Sequence, residues 1–247
     1  MVFFIVLSLI VIGAIICLKL LTKDDRENQI KYEYKKPINR EIYIPKPSPP
    51  APYKPKPSTP PKPNKSEQIG KEGEYLIQNV LKNISGYSYY LSNIYVPYRG
   101  KTSEIDVLLI HEKGIFVIES KNYSGWIFGN ESYTNWTQCL KGGNKNQFYN
   151  PISQNKTHIN ALSNYLRLNR DCFVSYIVFS ERCELKAIPA NYNIMKRNEL
   201  LHYLSNDLNS REILFSNEQI LNICKELYPL TQVTEQQKQE HIAKIMQ

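Results

Sequence analysis

The alternation of apolar and polar positions is clearest over residues 104–121, which read Glu104-Ile-Asp106-Val-Leu-Leu-Ile-His-Glu-Lys-Gly-Ile-Phe-Val-Ile-Glu119-Ser-Lys121. Asp106 to Ile110 and Ile115 to Ile118 form two runs, and His111 to Gly114 lies between them as a turn. The pattern predicts two strands joined as a hairpin, with Gly114 free to take a left-handed conformation. If the axis falls between Glu112 and Lys113, opposed residues have numbers that sum to about 225, so Asp106 faces Glu119 and Glu104 faces Lys121, with directly opposed Cβ atoms about 4.5–5.5 Å apart. Side chains alternate along a strand, so Glu104 and Asp106 share a face, as do Glu119 and Lys121. A bulge at Gly114 would shift this register by one.

The remaining periodicities supply the frame. Ile69, Leu76, Ile77, Val80 and Leu81 recur at helical spacing after Ser66, an expected N-cap. Gly70, Glu74, Ile77 and Leu81 lie on one stripe of that helix, which points Glu74 inward. Gly70 and Gly73 each cost about 1 kcal/mol of helix propensity relative to alanine, so a strand or ligand is expected to approach them closely. Tyr87 to Pro97 reads as the first strand. Trp126 to Phe128 and Tyr133 to Trp136 suggest a second short hairpin around Gly129-Asn-Glu, whose aromatics either pack on a sheet edge or stack on exposed bases. Trp136 to Gln147 is polar and basic and is expected to be a loop near a substrate. Asn150 and Pro151 suit the start of a helix running to about Leu168, with Ile152, Ile159, Leu162, Tyr165 and Leu166 buried and His158 on its surface. Cys172 to Phe179 is a continuous apolar strand, buried on both faces. Beyond Ser180 the pattern weakens to a strand over 188–195, helices over 196–203 and 217–228, and a polar tail from Thr231.

The hairpin also carries the chemistry. Two opposed carboxylates resist ionising together. A hard divalent cation removes that penalty, and Mg²⁺ is typically held by one or two carboxylates plus water and phosphate. A neighbouring lysine can then activate a water or balance charge on a phosphate. The plainer reading is a surface hairpin with an ordinary cross-strand ion pair. Asp106 followed by Glu119-Ser-Lys121 resembles the PD-(D/E)XK nuclease core, in which an acid pair holds metal and the lysine assists catalysis. Gly70-Lys-Glu-Gly73-Glu74 resembles the helix-borne glutamate that opens that core. The string Glu119-Ser-Lys-Asn-Tyr-Ser-Gly-Trp-Ile-Phe-Gly129, then Tyr149-Asn-Pro151 and Gln154, resembles the nuclease-related domain (NERD) branch, over roughly residues 66 to 180.

That resemblance implies an α/β, restriction-endonuclease-like αβββαβ core with a mixed central sheet over residues 65–182, and an α-rich extension of the same domain over 183–247. It implies Mg²⁺ or Mn²⁺ as cofactor, held by Asp106 and Glu119 with Glu74 supporting the metal or its water. Lys121 would orient or activate the nucleophile, and Gln154 would position the substrate. The implied activity is phosphodiester hydrolysis of nucleic acid, with DNA ahead of RNA as partner. A catalytically silent module that binds nucleic acid or a protein through the same groove is the competing expectation.

Composition changes this picture at the N-terminus. Residues 1–18 of the 247 carry no charged side chain, and a bilayer core needs about 17–25 apolar residues. With Lys19 able to snorkel, residues 1–21 are expected to be an uncleaved transmembrane anchor. Lys19, Lys23 and Arg26 follow the span and no basic residue precedes it, which by the positive-inside rule puts the C-terminal domain in the cytoplasm, at the cell membrane. Residues 22–64 form a charged, proline-rich linker in which Pro45 to Pro63 holds ten of the fifteen prolines. It is expected to be an extended spacer, or a docking segment for a proline-binding scaffold. Residues 19–63 hold 11 Lys+Arg against 5 Asp+Glu, whereas the whole chain holds 31 against 23, so residues 64–247 are nearly neutral. The basic excess therefore argues for anionic lipid rather than for DNA binding by the folded domain. Five scattered cysteines without CxxC spacing exclude a zinc cluster and fit buried thiols in a reducing compartment.

Overall fold

The structure is a computed structural model that describes residues 65–234, 236–238 and 241. The expected anchor over 1–21 and the linker over 22–64 lie outside the described residues, and among those described no helix is long and apolar enough to cross a membrane. In chain order the elements are α1 (Lys65–Leu81), β1 (Ser88–Tyr98), β2 (Lys101–His111), β3 (Gly114–Lys121), β4 (Gly125–Phe128), β5 (Asn135–Cys139), β6 (Lys145–Tyr149), α2 (Pro151–Leu166), β7 (Phe173–Phe179), β8 (Cys183–Ala187), β9 (Ile194–Lys196), α3 (Arg197–Ser210) and α4 (Asn217–Leu227), with short 3-10 turns at Arg170–Cys172 and Tyr228–Thr231.

The predicted hairpin forms in the expected register. Val107 lies opposite Ile118 and His111 opposite Gly114, so the two-residue turn at Glu112 and Lys113 carries no bulge. Gly114 has φ 143°, which a glycine accepts without cost. This hairpin is the middle of a five-stranded sheet in the order β1-β2-β3-β7-β9. The β1, β2 and β3 strands run antiparallel, and β7 and β9 continue parallel to β3, giving the mixed sheet that was expected.

Alternation along the strands sorts the core into two layers. Val107, Leu109, Phe116 and Ile118 pack with Ile77 and Leu81 of α1 and with Leu200, Leu204 and Leu208 of α3. Leu108, Ile110, Ile115 and Val117 pack on the other face with Ile159 and Leu162 of α2 and with Ile220, Ile223 and Leu227 of α4. Strands buried on both sides read as unbroken apolar runs, which is why β3 and β7 were legible. The C-terminal residues are thus integral to the core, since α3 and α4 cover one face each. Cys172, Cys183 and Cys224 are buried free thiols, and Cys139 is a partly buried one.

Two expectations fail. Residues 136–147 are not a loop: β5 and β6 pair antiparallel, Trp136 opposite Phe148 and Cys139 opposite Lys145, within a second sheet of order β6-β5-β4-β8. Trp136 and Gln138 point inward while the rest of these strands is largely exposed, so polar composition hid a one-sided sheet. The expected strand over 188–195 is replaced by β8, with Cys183 its buried member, and by the three-residue β9.

The α1 helix is described from Lys65, so Ser66 sits in its first turn rather than at a cap. Its two glycines differ. A Cβ on Gly73 would meet Asn122 Cβ and Ser120 Oγ at 3.1 Å, so the helix crosses the end of β3 in close contact there. At Gly70, a Cβ would meet no atom of the described residues within 4 Å, and the expected close approach is absent. Gly70→Ala is therefore expected to raise stability by about 0.5–1 kcal/mol, and Gly73→Ala to lose that gain to the contact with β3. Thermal denaturation of the two variants side by side reads the difference.

Candidate active site

The site forms where the alternation of β2 breaks. Ile105 packs in the same layer as Leu108 and Ile110, whereas Val107 packs in the opposite one. The strand therefore reverses its faces at Asp106. Its neighbour β1 does the same: the ladder pairs Ser92 with Val107 and Ile94 with Ile105 but passes over Asn93 and Asp106, and Asn93 has φ 53°. Asparagine tolerates this left-handed conformation better than most residues. Its side-chain amide donates to Glu74 Oε2 at 2.9 Å, tying α1 to the break.

Asp106 leaves the regular ladder here, and its Oδ2 accepts the Ser120 backbone N–H at 2.8 Å. Glu119 ends the buried part of β3 and is 1% exposed. The Lys121 ammonium lies 2.7 Å from Glu119 Oε1 and donates to Gln154 Oε1 at 3.0 Å. Asp106, Glu119, Lys121 and Gln154 thus belong to one contiguous cluster, and Glu74 reaches it from α1. Gln154 is placed by the predicted cap: Asn150 is buried, and its Oδ1 accepts the Ile152 backbone N–H at 2.9 Å while Pro151 opens the helix. The amide of Asn150 also donates to Tyr133 O at 2.7 Å, which joins α2 to the β4–β5 loop.

The pairing of Glu104 with Lys121, expected from alternation, does not occur. Glu104 Oε1 instead accepts the Tyr95 hydroxyl at 2.5 Å, and His241 Nε2 lies 3.5 Å from Oε2. Uniform alternation cannot hold across the reversal at Asp106. His158 also departs from its expected place. It is not on the helix surface but 6% exposed, with Nε2 3.1 Å from Glu119 Oε2 and Nδ1 2.7 Å from Ser103 Oγ. The spacing of Gln154, His158 and Leu162 at successive fours was the available signal, since it places the histidine on the stripe that leads to a buried leucine. Nothing in the periodicity pointed to Ser103. The aromatics divide: Trp136 stacks on Phe179 at 6.3 Å between ring centroids in the core, whereas Trp126 is 51% exposed.

The electrostatics follow from burial. Desolvation, reinforced by the Glu119 charge, pushes the Asp106 carboxyl well above its ordinary range. Desolvation also opposes ionisation of Glu119, but Lys121 and the hydrogen bond from His158 outweigh it and hold that carboxyl low. Burial acts against the Lys121 charge too, and Glu119 and Asp106 overcome it, so the ammonium persists above its usual range. Glu74 is raised to about 6, mainly by burial and against the Asn93 hydrogen bond.

This last shift predicts a pH-dependent stability. Between the ordinary value of 4.5 and about 6 the folded chain binds more protons at Glu74 than the unfolded chain does. Stability therefore falls as pH rises through that window, by up to about 2 kcal/mol at 1.36 kcal/mol per unit. Glu74→Gln should flatten that part of the profile and make the variant the more stable protein at pH 7 in EDTA. Equal slopes for the two proteins from pH 4.5 to 7 would exclude the assignment.

Among the described residues no three His, Cys, Asp or Glu side chains form a group that could hold a metal ion. A closed protein cage is therefore not present, whereas a Mg²⁺-type site needs only one or two carboxylates completed by water and phosphate. Asp106 and Glu119 meet that requirement. Glu119 is buried, with His158 at its Oε2 and the Lys121 ammonium 2.7 Å from its Oε1. An acceptor of this kind suits a hard cation.

No solved structure matches the chain. The uncharacterized Bacillus anthracis protein pXO1-01 is 35% identical over 156 residues, covering 62% of this chain and 70% of that protein. Residues 69–180 match the nuclease-related domain (NERD), a span that runs from the helix carrying Glu74 to the end of β7 and encloses the whole cluster. The chain belongs to the nuclease-related domain family.

Proposed function

We propose that the protein is a divalent-cation-dependent nuclease of the PD-(D/E)XK type, hydrolysing phosphodiester bonds in nucleic acid, with DNA ahead of RNA. The observation that carries this reading is the meeting of Asp106, Glu119 and Lys121 at the reversal in β2, with the Lys121 ammonium 2.7 Å from Oε1 of the buried Glu119. Mg²⁺ or Mn²⁺ held by Asp106 and Glu119 would supply a Lewis acid for the phosphoryl oxygen and acidify a bound water. Lys121, kept protonated by the two carboxylates, donates to the charge developing on the phosphate. Gln154 holds the ammonium in place through its Oε1. Glu74, titrating near 6, is suited to take the proton from the attacking water or to support the cation. The N-terminal residues 1–21 tether this domain to the cell membrane, facing the cytoplasm, and 22–64 act as the spacer.

The near-neutral charge of residues 64–247 favours a second reading, a module that binds in the groove without cleaving. One experiment separates the two. The full chain in mild detergent is incubated with end-labelled single- and double-stranded DNA and RNA, in Mg²⁺, Mn²⁺ or EDTA. Cleavage that needs the cation establishes the nuclease and names its substrate. A folded chain that shifts the labelled strands yet leaves them intact in both metals establishes the binding module.

A further inference from the structure

We propose that Ser103 and His158 are positioning residues, a buried hydrogen-bond relay that presents Glu119 Oε1 to the cation. The proposal rests on the cation site of the nuclease reading and not on cleavage itself.

The geometry fixes the role of the nitrogen that faces Glu119. Glu119 is an acceptor only when ionised, so the His158 nitrogen 3.1 Å from its Oε2 must carry the proton. In the neutral ring the other nitrogen, Nδ1, then accepts, and the Ser103 hydroxyl 2.7 Å away can rotate to donate to it. With the ring neutral, the chain runs Ser103 to His158 to Glu119, and each link donates to the next. Ser103, His158 and Glu119 are all buried, at 7%, 6% and 1% exposure, so no water competes for these bonds. Each comes from a different element: Ser103 from β2, His158 from α2 and Glu119 from β3.

The consequence is a division between the two carboxylate oxygens. Oε2 is taken by the imidazole, which stops the carboxylate from rotating. Oε1 has no partner from this relay and meets the Lys121 ammonium at 2.7 Å instead. A residue held in this way binds a cation through one defined oxygen. Partners behind a metal ligand commonly contribute about 10- to 100-fold in metal affinity when they fix its orientation. A histidine and a serine filling space alone would impose no such asymmetry, and their burial without paired partners would be costly.

The test is an electron paramagnetic resonance titration of Mn²⁺ into the full chain in mild detergent, with thermal denaturation in EDTA as a check on folding. His158→Leu removes the N–H and is expected to weaken Mn²⁺ binding by about 10- to 100-fold. His158→Gln retains an amide N–H that can reach Oε2 and is expected to recover most of the affinity. Ser103→Ala removes the outer link and is expected to give an intermediate loss with the fold intact. A folded H158L that binds Mn²⁺ like the wild type overturns the relay. So does H158Q no better than H158L, because the ring's volume rather than its N–H would then matter. Should H158L not fold, an S103A chain with unchanged affinity overturns it equally. If the predicted losses appear in a chain that cleaves nothing, the relay stands and the nuclease reading falls. Cleavage with no loss in H158L leaves the reverse result. A wild-type chain that takes up no Mn²⁺ overturns both.

Discussion

Lys121→Ala is expected to lower kcat for cation-dependent phosphodiester cleavage by about 10²–10³-fold, with KM little changed. The ammonium sits 2.7 Å from Glu119 and 3.0 Å from Gln154, so its position is set by the protein before substrate arrives. A group fixed in that way acts on charge that appears only in the transition state, which is why the loss falls on kcat. Asp106→Ala should differ in kind, because removing one of two cation-holding carboxylates shifts the cation concentration needed for half-maximal rate. Gln154→Ala frees the ammonium without removing it, and the expected loss is smaller, on the order of 10-fold. The three variants are compared by initial rates on the best substrate across a Mg²⁺ series. A Lys121→Ala protein that retains wild-type kcat at saturating Mg²⁺ would remove the lysine from the mechanism.

Gly129→Ala is expected to damage the fold severely. A Cβ at this position would lie inside the indole of Trp136, against Cδ2, Cε2 and Cγ. The indole cannot yield. It is fully buried, stacked on Phe179, edge-on to Phe148, and its Nε1 donates to Asn130 O at 3.0 Å. The cost is expected at about 3 kcal/mol, at the high end for overpacking. For a folded unit of this size that is roughly 6–12 °C in Tm. Calorimetry of Gly129→Ala beside Gly70→Ala tests the sign as well as the size, since the two glycine-to-alanine changes are expected to move Tm in opposite directions. An unaltered Tm in Gly129→Ala would mean that the β4–β5 loop does not hold Trp136 as described.

The hairpin at the centre shows how far alternation along a chain can be trusted. The β2–β3 register follows from a local quantity, a two-residue turn between apolar runs, and it holds from His111 to Val107. Alternation then mispairs Glu104 because the β1–β2 ladder breaks at Asn93 and Asp106, where β2 reverses its faces. That distortion is a property of two paired strands, and neither strand announces it alone. His158 departs from its expected place for a related reason. Helical spacing shows which side a residue occupies, but a histidine on the inner side is read as solvated until a buried carboxylate is known to lie opposite it. The polar β5 and β6 strands were missed because one-sided sheets expose most of their residues, and exposure makes a strand resemble a loop.

By itself, then, the sequence determined the elements whose signals are local: the β2–β3 turn and register, the Asn150-Pro151 start of α2, the doubly buried β7, and a pair of acids and a lysine within sixteen residues of one another. Periodicity, capping and turn chemistry act over a few neighbours and can be read from them. Only the tertiary structure decided what those groups do to one another. It brought Glu74 to the site through Asn93, sent Glu104 away to Tyr95 and His241, and set Ser103 and His158 behind Glu119. Hydrogen bonds and desolvation depend on the distance between elements far apart in the chain, and that distance exists only once the sheet has closed and water has been expelled from it.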